Sequence, residues 1–593
     1  MHRILGLLLV AAVSASSAPP DGKAIFEATC AVCHQPGADN RTPPPEALKK
    51  LSNAAIVAAL ETGPMKVQGS TLSPVERMAV ADFLVPRSAT SVESAGANQC
   101  AANSKPLANL AGWNGWSPDL TNSRFQSARE AGLTAADIPN LKVKWAFGVP
   151  NQFSMYGQPS VAGGRLFFGS GNGTVYSLDA ATGCLYWTFK APAQVRTAIT
   201  VGTWDGKYVA YFGDGSAVVY AVDAQTGKLI WKTKIEDHKM AGITGAPQLY
   251  GGKLYVPVRS GTEEMVAAQL KYECCTFRGS LVALDARTGE KVWKTYTIPD
   301  PPGVIRKNSA GTDEYGPSGA GIWSAPTIDV KRKAVYVGTG NNYSDPPTKY
   351  GDAILAFDLD TGSLRWVKQM NQDVWNYSCS QKVQANCPEK PDRDTDIGTS
   401  PILHKLPNGK DVLLFGQKSG FVRAIDPDKR GEIVWEKQIG KGVALGGVMW
   451  GLAADKDQVY APLSDIMPGP AGGFFAFNIA SGKQVWSVPP SPDACLGKPN
   501  GCSEALMAPA TAIAGVVFSG SLDGHLRAYA TKDGKLIWDF DTLRDFDTVN
   551  GVKAHGGSLN ATGPIIANGM MFVNSGYSQL TGIGGNVLLA FGK

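Results

Sequence analysis

Eight tryptophans recur in nearly the same setting along this chain of 593 residues, and no other feature constrains its fold as strongly. In the four clearest copies an Asp-x-x-Thr-Gly turn precedes the Trp: Asp179–Gly183 before Trp187, Asp223–Gly227 before Trp231, Asp285–Gly289 before Trp293 and Asp358–Gly362 before Trp366. Looser copies lead through Gly431, Gly482 and Gly534 to Trp435, Trp486 and Trp538, while Trp145 has no turn in front of it. A strand, a glycine turn and a Trp-bearing strand, repeated at such intervals, describe stacked β units of the propeller kind. From Trp145 onward the intervals are 42, 44, 62, 73, 69, 51 and 52 residues. The last strands, up to Asn586–Phe591, then lack a Trp of their own. The Trp145 strand is expected to supply it, closing a ring of eight blades; seven is the alternative if the weakest copy is only a loop.

A chain of this length exceeds one ordinary hydrophobic core, so it is multidomain or a repeat array. Sixty-eight glycines with only 18% charged residues suit many short strands and tight turns. The net charge of +5 is small for the length, and no basic run carries interleaved aromatics, which argues against a nucleic-acid partner. The start, Met-His-Arg followed by apolar Ile4–Val13 and small residues to Ala18, has the pattern of a secretory signal over 1–18. That apolar run is well short of the roughly 20 residues a membrane span needs, so a transmembrane anchor is not expected. The expected location is periplasmic.

Ten cysteines in an exported chain call for individual accounts. Cys379/Cys387 and Cys495/Cys502 enclose short loops and are expected as local disulfides. Cys100 and Cys184 remain to tie a linker to the first blade. Cys274 and Cys275 are adjacent, a spacing at which bonding is rare; two free thiols are the alternative.

Cys30-Ala-Val-Cys33-His34 is the attachment signature of haem c, with two thiols for the vinyl groups and a histidine for the iron. A zinc site would want a second ligand pair, and none precedes Cys100. The second iron ligand is expected at Met65, in a loop before an apolar-periodic helix; Met78, inside that helix, is the competitor. Ser73 and Glu76 form a capping box there, with Pro74 at the first helical position. With the helix over Asp21–Glu27, residues 19–86 resemble a small all-α class I cytochrome c. Residues 87–112, rich in Ser, Ala, Gly and Asn, are expected to be a linker.

From residue 113 to 593 the chain resembles the eight-bladed quinoproteins, the alcohol dehydrogenases dependent on pyrroloquinoline quinone (PQQ). The resemblance implies that Cys274 and Cys275 pack on one face of PQQ, although they lie in an insertion after Glu263, one blade later than in the small-alcohol enzymes. Trp323 would form the opposite wall, since an aromatic face suits a flat quinone. Glu263 and Asn341 match the family's calcium ligands, hard oxygen donors that hold the quinone and polarise its carbonyl. Arg196, Thr244 and Lys418 fall where the family places PQQ contacts. For the catalytic base the match departs: small-alcohol enzymes carry Asp directly after a Trp, and here that place holds Asn376, after Trp375. An amide cannot abstract a proton, so Asp373 is expected to serve, with Asp396 as another acid in reach.

The resemblance thus implies an oxidoreductase passing electrons from an alcohol through PQQ to haem c and on to an external cytochrome. The haem module stands before the propeller, and Glu273–Gly279 resembles the polyvinyl-alcohol-oxidising branch of the family; the implied substrate is a polymeric or small secondary alcohol. A haem-linked enzyme for a polyol or sugar, and an exported scaffold propeller, are the other readings.

Overall fold

The computed structural model describes residues 21–35, 42–49, 51, 53–61, 64–70, 72, 74–85, 98–101, 106–442, 444–466, 470–499, 501–578 and 581–593. The expected signal segment 1–18, Ser73 of the expected capping box and residues 87–97 and 102–105 of the expected linker lie outside the described residues.

Eight blades follow one another around a ring, seven of them four-stranded antiparallel sheets and one, the seventh, with the strand Phe125–Gln126 added in parallel to its first strand. Blades 1 to 4 end on the strands Leu185–Lys190, Leu229–Lys234, Lys291–Tyr296 and Leu364–Gln369, each carrying its Trp. Blades 5 to 7 end on Glu432–Gln438, Gln484–Val488 and Leu536–Asp541. Blade 8 is built from both ends of the propeller: Lys142–Gly148 pairs with Val587–Gly592, with Trp145 opposite Ala590. This closure leaves eight blades and explains why Trp145 has no turn before it, since no chain connects its strand to its neighbour.

The repeat motif is a device for joining blades. In the first copy Asp179 Oδ1 accepts hydrogen bonds from the Ala181 and Thr182 amides and the Thr182 hydroxyl, fixing the turn. The turn brings Gly183 against the Trp145 ring of the preceding blade, where a Cβ would stand 2.8 Å away. Gly227 meets Trp187, Gly289 meets Trp231 and Gly362 meets Trp293 in the same way. Gly482 and Gly534 repeat the contact with Trp435 and Trp486. Several of these indole N–H groups also donate across the interface, Trp187 to the Ala224 carbonyl at 3.1 Å and Trp435 to that of Ile479 at 2.7 Å. The apolar core is accordingly divided among the blade interfaces; the cluster between blades 8 and 1 joins Trp145, Phe147, Phe168 and Phe572.

Residues 113–126 strap across one face of the ring. Trp113 accepts from the Val161 amide of blade 1, Asn122 donates to carbonyls preceding blade 4, and Arg124 donates to the Ala510 carbonyl before blade 7. Arg124 is fully buried and stacks on Trp116 at 4.6 Å. Burial holds its guanidinium down to about 9.

The disulfides follow the expected pairing at three places, Cys100–Cys184, Cys379–Cys387 and Cys495–Cys502, and the first ties the segment 98–100 to the outer strand of blade 1. Cys274 and Cys275 are bonded to each other, in place of the two free thiols. Cys30 and Cys33 alone are free.

The N-terminal segment consists of the helices α1 (Gly22–Thr29), α2 (Pro45–Leu48), α3 (Asn53–Glu61), α4 (Lys66–Ser70) and α5 (Pro74–Leu84). Asp21 caps α1 through hydrogen bonds from the Lys23 and Ala24 amides. Phe26, Ile56, Leu60, Val80, Ala81 and Leu84 form its core.

The blade joint predicts a graded effect of adding one methyl group. Gly206 and Gly227 share nearly the same left-handed backbone, φ +73° and +74°, but only Gly227 faces a Trp, at 2.7 Å. Gly206→Ala is expected to cost about 1–2 kcal/mol in backbone strain. Gly227→Ala adds a steric cost of about 1–3 kcal/mol, so denaturant midpoints should fall in the order wild type, Gly206→Ala, Gly227→Ala.

Candidate functional site

In a four-stranded antiparallel blade, the segment entering the first strand and the turn between the second and third strands lie at the same end. Such segments from blades 2 to 6 and from blade 8 converge on one cavity of about 240 Å³, which their ring arrangement sets over the central opening. Arg196, Thr244, Trp323, Asp394, Asp396, Met449 and Trp450 come from entering segments. Gly261–Met265 apart from Glu263, together with Asn341, Lys418 and Tyr577, come from the second kind of connection.

Its charges are arranged in two groups. Lys418 Nζ donates to both carboxylate oxygens of Asp394, at 2.8 and 2.9 Å, and to Asp396 Oδ2 at 2.7 Å. Burial opposes the Lys418 charge, but Asp394, Asp396 and Glu264 outweigh it and hold the amine well above its ordinary pKa. Burial, then Asp396, pushes Asp394 up to about 7. Burial, then Asp394 and Asp396, lifts Glu264 well above the carboxylate range. The Asn341 amide donates to Asp396 Oδ1 at 2.8 Å, and its side-chain Nδ2 binds the Trp375 carbonyl, leaving Oδ1 as an available oxygen donor. This crowd of buried oxygens favours a cation. No three His, Cys, Asp or Glu side chains among the described residues could hold a metal ion by themselves, so a cation would also draw on Asn341 and on oxygens of a bound molecule.

The second group is cationic. Arg196 lies over the Trp450 ring at 4.3 Å, and its Nη2 is buried without a hydrogen-bond partner. Arg259 Nε is likewise buried and unpartnered, and burial, then Arg196, holds the group down to about 10. Two such orphaned donors fit an anionic ligand. Trp323 supplies a flat wall: it meets Trp450 edge-on at 5.0 Å and Lys418 lies over its ring at 5.4 Å. A Cβ on Gly398 would stand 1.9 Å from that indole, so the ring's seat requires glycine. Thr244 Oγ1 donates to the Trp323 carbonyl at 3.0 Å.

Arg196, Thr244, Trp323, Asn341 and Lys418 are therefore brought together. Five other positions expected at the site do not line the cavity. Glu263 is fully buried, its carboxylate accepting from the Thr276 amide at 2.9 Å, the Phe277 amide at 2.7 Å and the Tyr272 hydroxyl at 2.9 Å. The next residue, Glu264, takes the cavity side because the two lie on different faces of the helix Gly261–Val266. Cys274 and Cys275 sit in the core cluster of blades 2 and 3. Cys275 is fastened by its amide to the Tyr315 carbonyl, and Tyr343, from the same cluster, faces the cavity instead. Asn376 is spent on structure: it donates to the Tyr343 and Asn386 carbonyls and accepts from the Ser378 amide. Asp373 is fully buried behind the site, where its Oδ2 accepts from the Thr395 amide at 2.9 Å. Burial, then Asp394, pushes it up to about 8. Sequence reasoning missed Glu264, Asp394, Arg259 and Trp450. The Asp-x-Asp spacing of Asp394 and Asp396 was a visible signal; the others needed the fold.

In the N-terminal segment His34 is buried and its Nδ1 lies 2.7 Å from the Pro43 carbonyl. That contact orients the ring and leaves Nε2 for a metal. Cys30 is buried, Cys33 exposed, and both thiols are free to form thioether links to a haem. Met65 packs against the cluster that contains Cys30, whereas Met78 lies within α5. These four groups fit a covalently attached haem.

Residues 113–385 match the family model of the PQQ glucose/ethanol/alcohol dehydrogenase β-propeller domain. Residues 17–84 match that of cytochrome c oxidase, cbb3-type, subunit III. Fold, site and matches together define a PQQ-dependent alcohol dehydrogenase with a cytochrome c domain, whose cofactors are PQQ and haem c. Segments 417–538 and 470–588 also match the outer membrane protein assembly factor BamB model. The polyvinylalcohol dehydrogenase of a Pseudomonas sp is 42% identical over 99% of this chain and 96% of its own length. That of Sphingopyxis sp. (strain 113P3) is 41% identical over 96% and 92%. The chain belongs to the polyvinyl alcohol dehydrogenase family. Among solved structures, the quinohemoprotein alcohol dehydrogenase of Comamonas testosteroni shares the fold, with TM-score 0.58 and 19% identity over 82% of this chain and 81% of that one.

Removing Lys418 tests the charge balance. In Lys418→Met, Asp394 and Asp396 lose their buried partner, a change that typically costs about 3–5 kcal/mol. Burial, then Asp396, already pushes Asp394 up to about 7, so without the lysine it can take up a proton and relieve the strain, and holding that proton costs more at pH 8 than at pH 5. The variant's thermal midpoint, measured without added cations, should therefore trail the wild type by more at pH 8 than at pH 5.

Proposed function

We propose that the chain is a periplasmic dehydrogenase that oxidises secondary hydroxyls of polyvinyl alcohol to ketones. Electrons pass to its own haem c and then to an external cytochrome. The observation that carries this reading is the cavity's polarity: buried, unpaired guanidinium nitrogens of Arg196 and Arg259 stand in one chamber with the oxygen cluster of Glu264, Asn341 and Asp396. An anionic quinone and a cation such as Ca²⁺ together would neutralise that arrangement. The polymer as substrate rests on the two relatives matched over nearly their whole length.

In this reading the domains run 19–86 for a class I cytochrome c, 87–112 for a linker and 113–593 for the propeller, after an export signal over 1–18. The disulfides agree with an oxidising compartment, and no helix of the described residues is long and apolar enough to cross a membrane.

Arg196 and Arg259 would hold the quinone's anionic groups, Lys418 would add positive charge beside them while it joins the two acids, Thr244 would add a hydroxyl contact, and Trp323 would supply a flat aromatic wall. Glu264 and the Asn341 Oδ1 would hold the cation. Bound PQQ supplies the two-electron acceptor for hydride leaving the alcohol carbon. Asp396, held between Lys418 and the Asn341 amide, takes the hydroxyl proton, and the buried environment excludes water from the exchange. Asp373 acts as a support, anchoring Thr395 between the two cavity acids. His34 and Met65 would ligate the haem iron, and Cys30 and Cys33 would bond the porphyrin.

Two measurements test this. Adding polyvinyl alcohol anaerobically to enzyme loaded with PQQ and Ca²⁺ should reduce the haem, seen in its absorbance, and omitting PQQ should abolish the response. A haem that responds to glucose or polyols but to no secondary alcohol would contradict the substrate. Asp396→Asn should lower kcat by about 10²–10⁴ while the haem spectrum is unchanged; undiminished turnover would exclude Asp396 as the proton acceptor.

A further inference from the structure

The rim of the active cavity is not made by the propeller alone. Pro64 and Val67, which flank the haem-ligand candidate Met65, line the cavity together with Met265, Leu445 and Met449 of the propeller. The contact is continuous with secondary structure: α4 packs against the helix Gly261–Val266, whose Glu264 reaches into the same cavity and whose Met265 is 36% exposed beside it. The five rim residues are apolar, in contrast to the charged interior of Arg196, Arg259, Lys418, Glu264 and the two aspartates.

We infer that the cytochrome domain supplies one wall of the substrate site and that Val67 is a specificity-determining residue for the alcohol. The inference rests on the secondary-alcohol reading above. A secondary carbinol carries carbon on both sides, so when its hydroxyl reaches Asp396 at least one alkyl arm has to lie along the rim. Apolar side chains suit methylene groups there, and methionines adapt to a chain of irregular conformation. Val67 faces this arm across from Met265. The same short segment then serves both partners of the reaction: Met65 turns toward the haem core, and its neighbours turn toward the substrate. A longer chain meets more of this wall than a short alcohol does, so the cytochrome contributes to discrimination by length before it receives an electron.

The test separates this role from electron transfer. Steady-state kinetics of the holoenzyme would be followed with an artificial dye acceptor, on polyvinyl alcohol and on pentane-2,4-diol, for wild type, Val67→Ala and Val67→Phe. The Met–iron absorption band monitors the haem site in each. Removing two methyl groups from the wall should raise the polymer KM about fivefold in Val67→Ala with kcat unchanged. The larger ring of Val67→Phe should raise the KM ratio of polymer to diol by narrowing the rim. Met265→Ala, on the propeller side, should shift the polymer KM in the same direction as Val67→Ala, and the double variant should fall short of the product of the two effects. Unchanged KM values and an unchanged polymer-to-diol ratio in both Val67 variants would overturn the inference. If a Val67 variant loses the Met–iron band, Pro64→Ala and Met265→Ala decide the question by the same criteria. A wild-type enzyme active on the diol but not on the polymer would refute the polymer reading alone; the wall would then be tested by the KM of the same variants for secondary alcohols of increasing length.

Discussion

A tryptophan face pressed on the turn glycine of the following blade holds this molecule's propeller together. The contact couples three local requirements. The Asp of the turn satisfies the backbone amides of its own hairpin, as Asp179 does. The glycine takes a left-handed conformation, φ between +66° and +79° at the seven repeat turns from Gly183 to Gly534. The absent Cβ then admits the indole of the blade before, whose N–H in several cases reaches a carbonyl beside the turn. None of the three works without the others, so the motif spreads as a unit along the chain. At the closing interface, where no turn exists, Trp538 meets Phe591 of blade 8 at 5.5 Å instead.

Because the joints lie on the outer strands, the opposite ends of the blades are free to carry chemistry. The connections at one face vary in length without disturbing the ring, and the site is assembled from them. Lys418 is the residue on which that assembly balances, joining Asp394 to Asp396 at 2.8 and 2.7 Å. It compensates part of the carboxylate charge; Glu264 and the orphaned Arg196 and Arg259 donors are left for ligands. The cytochrome segment meets this same face through α4, and its Pro64 and Val67 line the same cavity.

Much of this was legible in the chain. The Trp intervals foretold eight blades and the return of the Trp145 strand, because a repeat that buries one ring per unit leaves a countable mark. Local chemistry was equally plain at Cys30, Cys33 and His34, and the two longest Trp intervals, 73 and 69 residues, hold Trp323, Asn341 and Lys418, which line the cavity. What sequence did not decide was the direction of side chains within inserted segments. Glu263 and Glu264 are neighbours of the same type, and only the pitch of the helix Gly261–Val266, set by the Ser260 cap, determines that one carboxylate is spent on the Thr276 and Phe277 amides while the other faces the cavity. Asp373 and Asn376 stand close to Trp375 in sequence, yet neither lines the cavity: Asn376 is spent on the Tyr343 and Asn386 carbonyls, and Asp373 holds the Thr395 amide. Arg259 was overlooked because a lone arginine at a strand end carries no pattern.

The contrast between the two adjacent glutamates offers the most direct test of the central claim, that one cavity binds quinone and cation together. PQQ retained per haem would be measured by equilibrium dialysis with and without Ca²⁺, for wild type, Glu264→Gln and Glu263→Gln. The account predicts one Ca²⁺-dependent PQQ per haem in wild type, loss of that dependence in Glu264→Gln, and Ca²⁺-dependent binding preserved in folded Glu263→Gln with a lowered thermal midpoint. Wild-type behaviour of Glu264→Gln, with loss of Ca²⁺-dependent binding in Glu263→Gln, would contradict it.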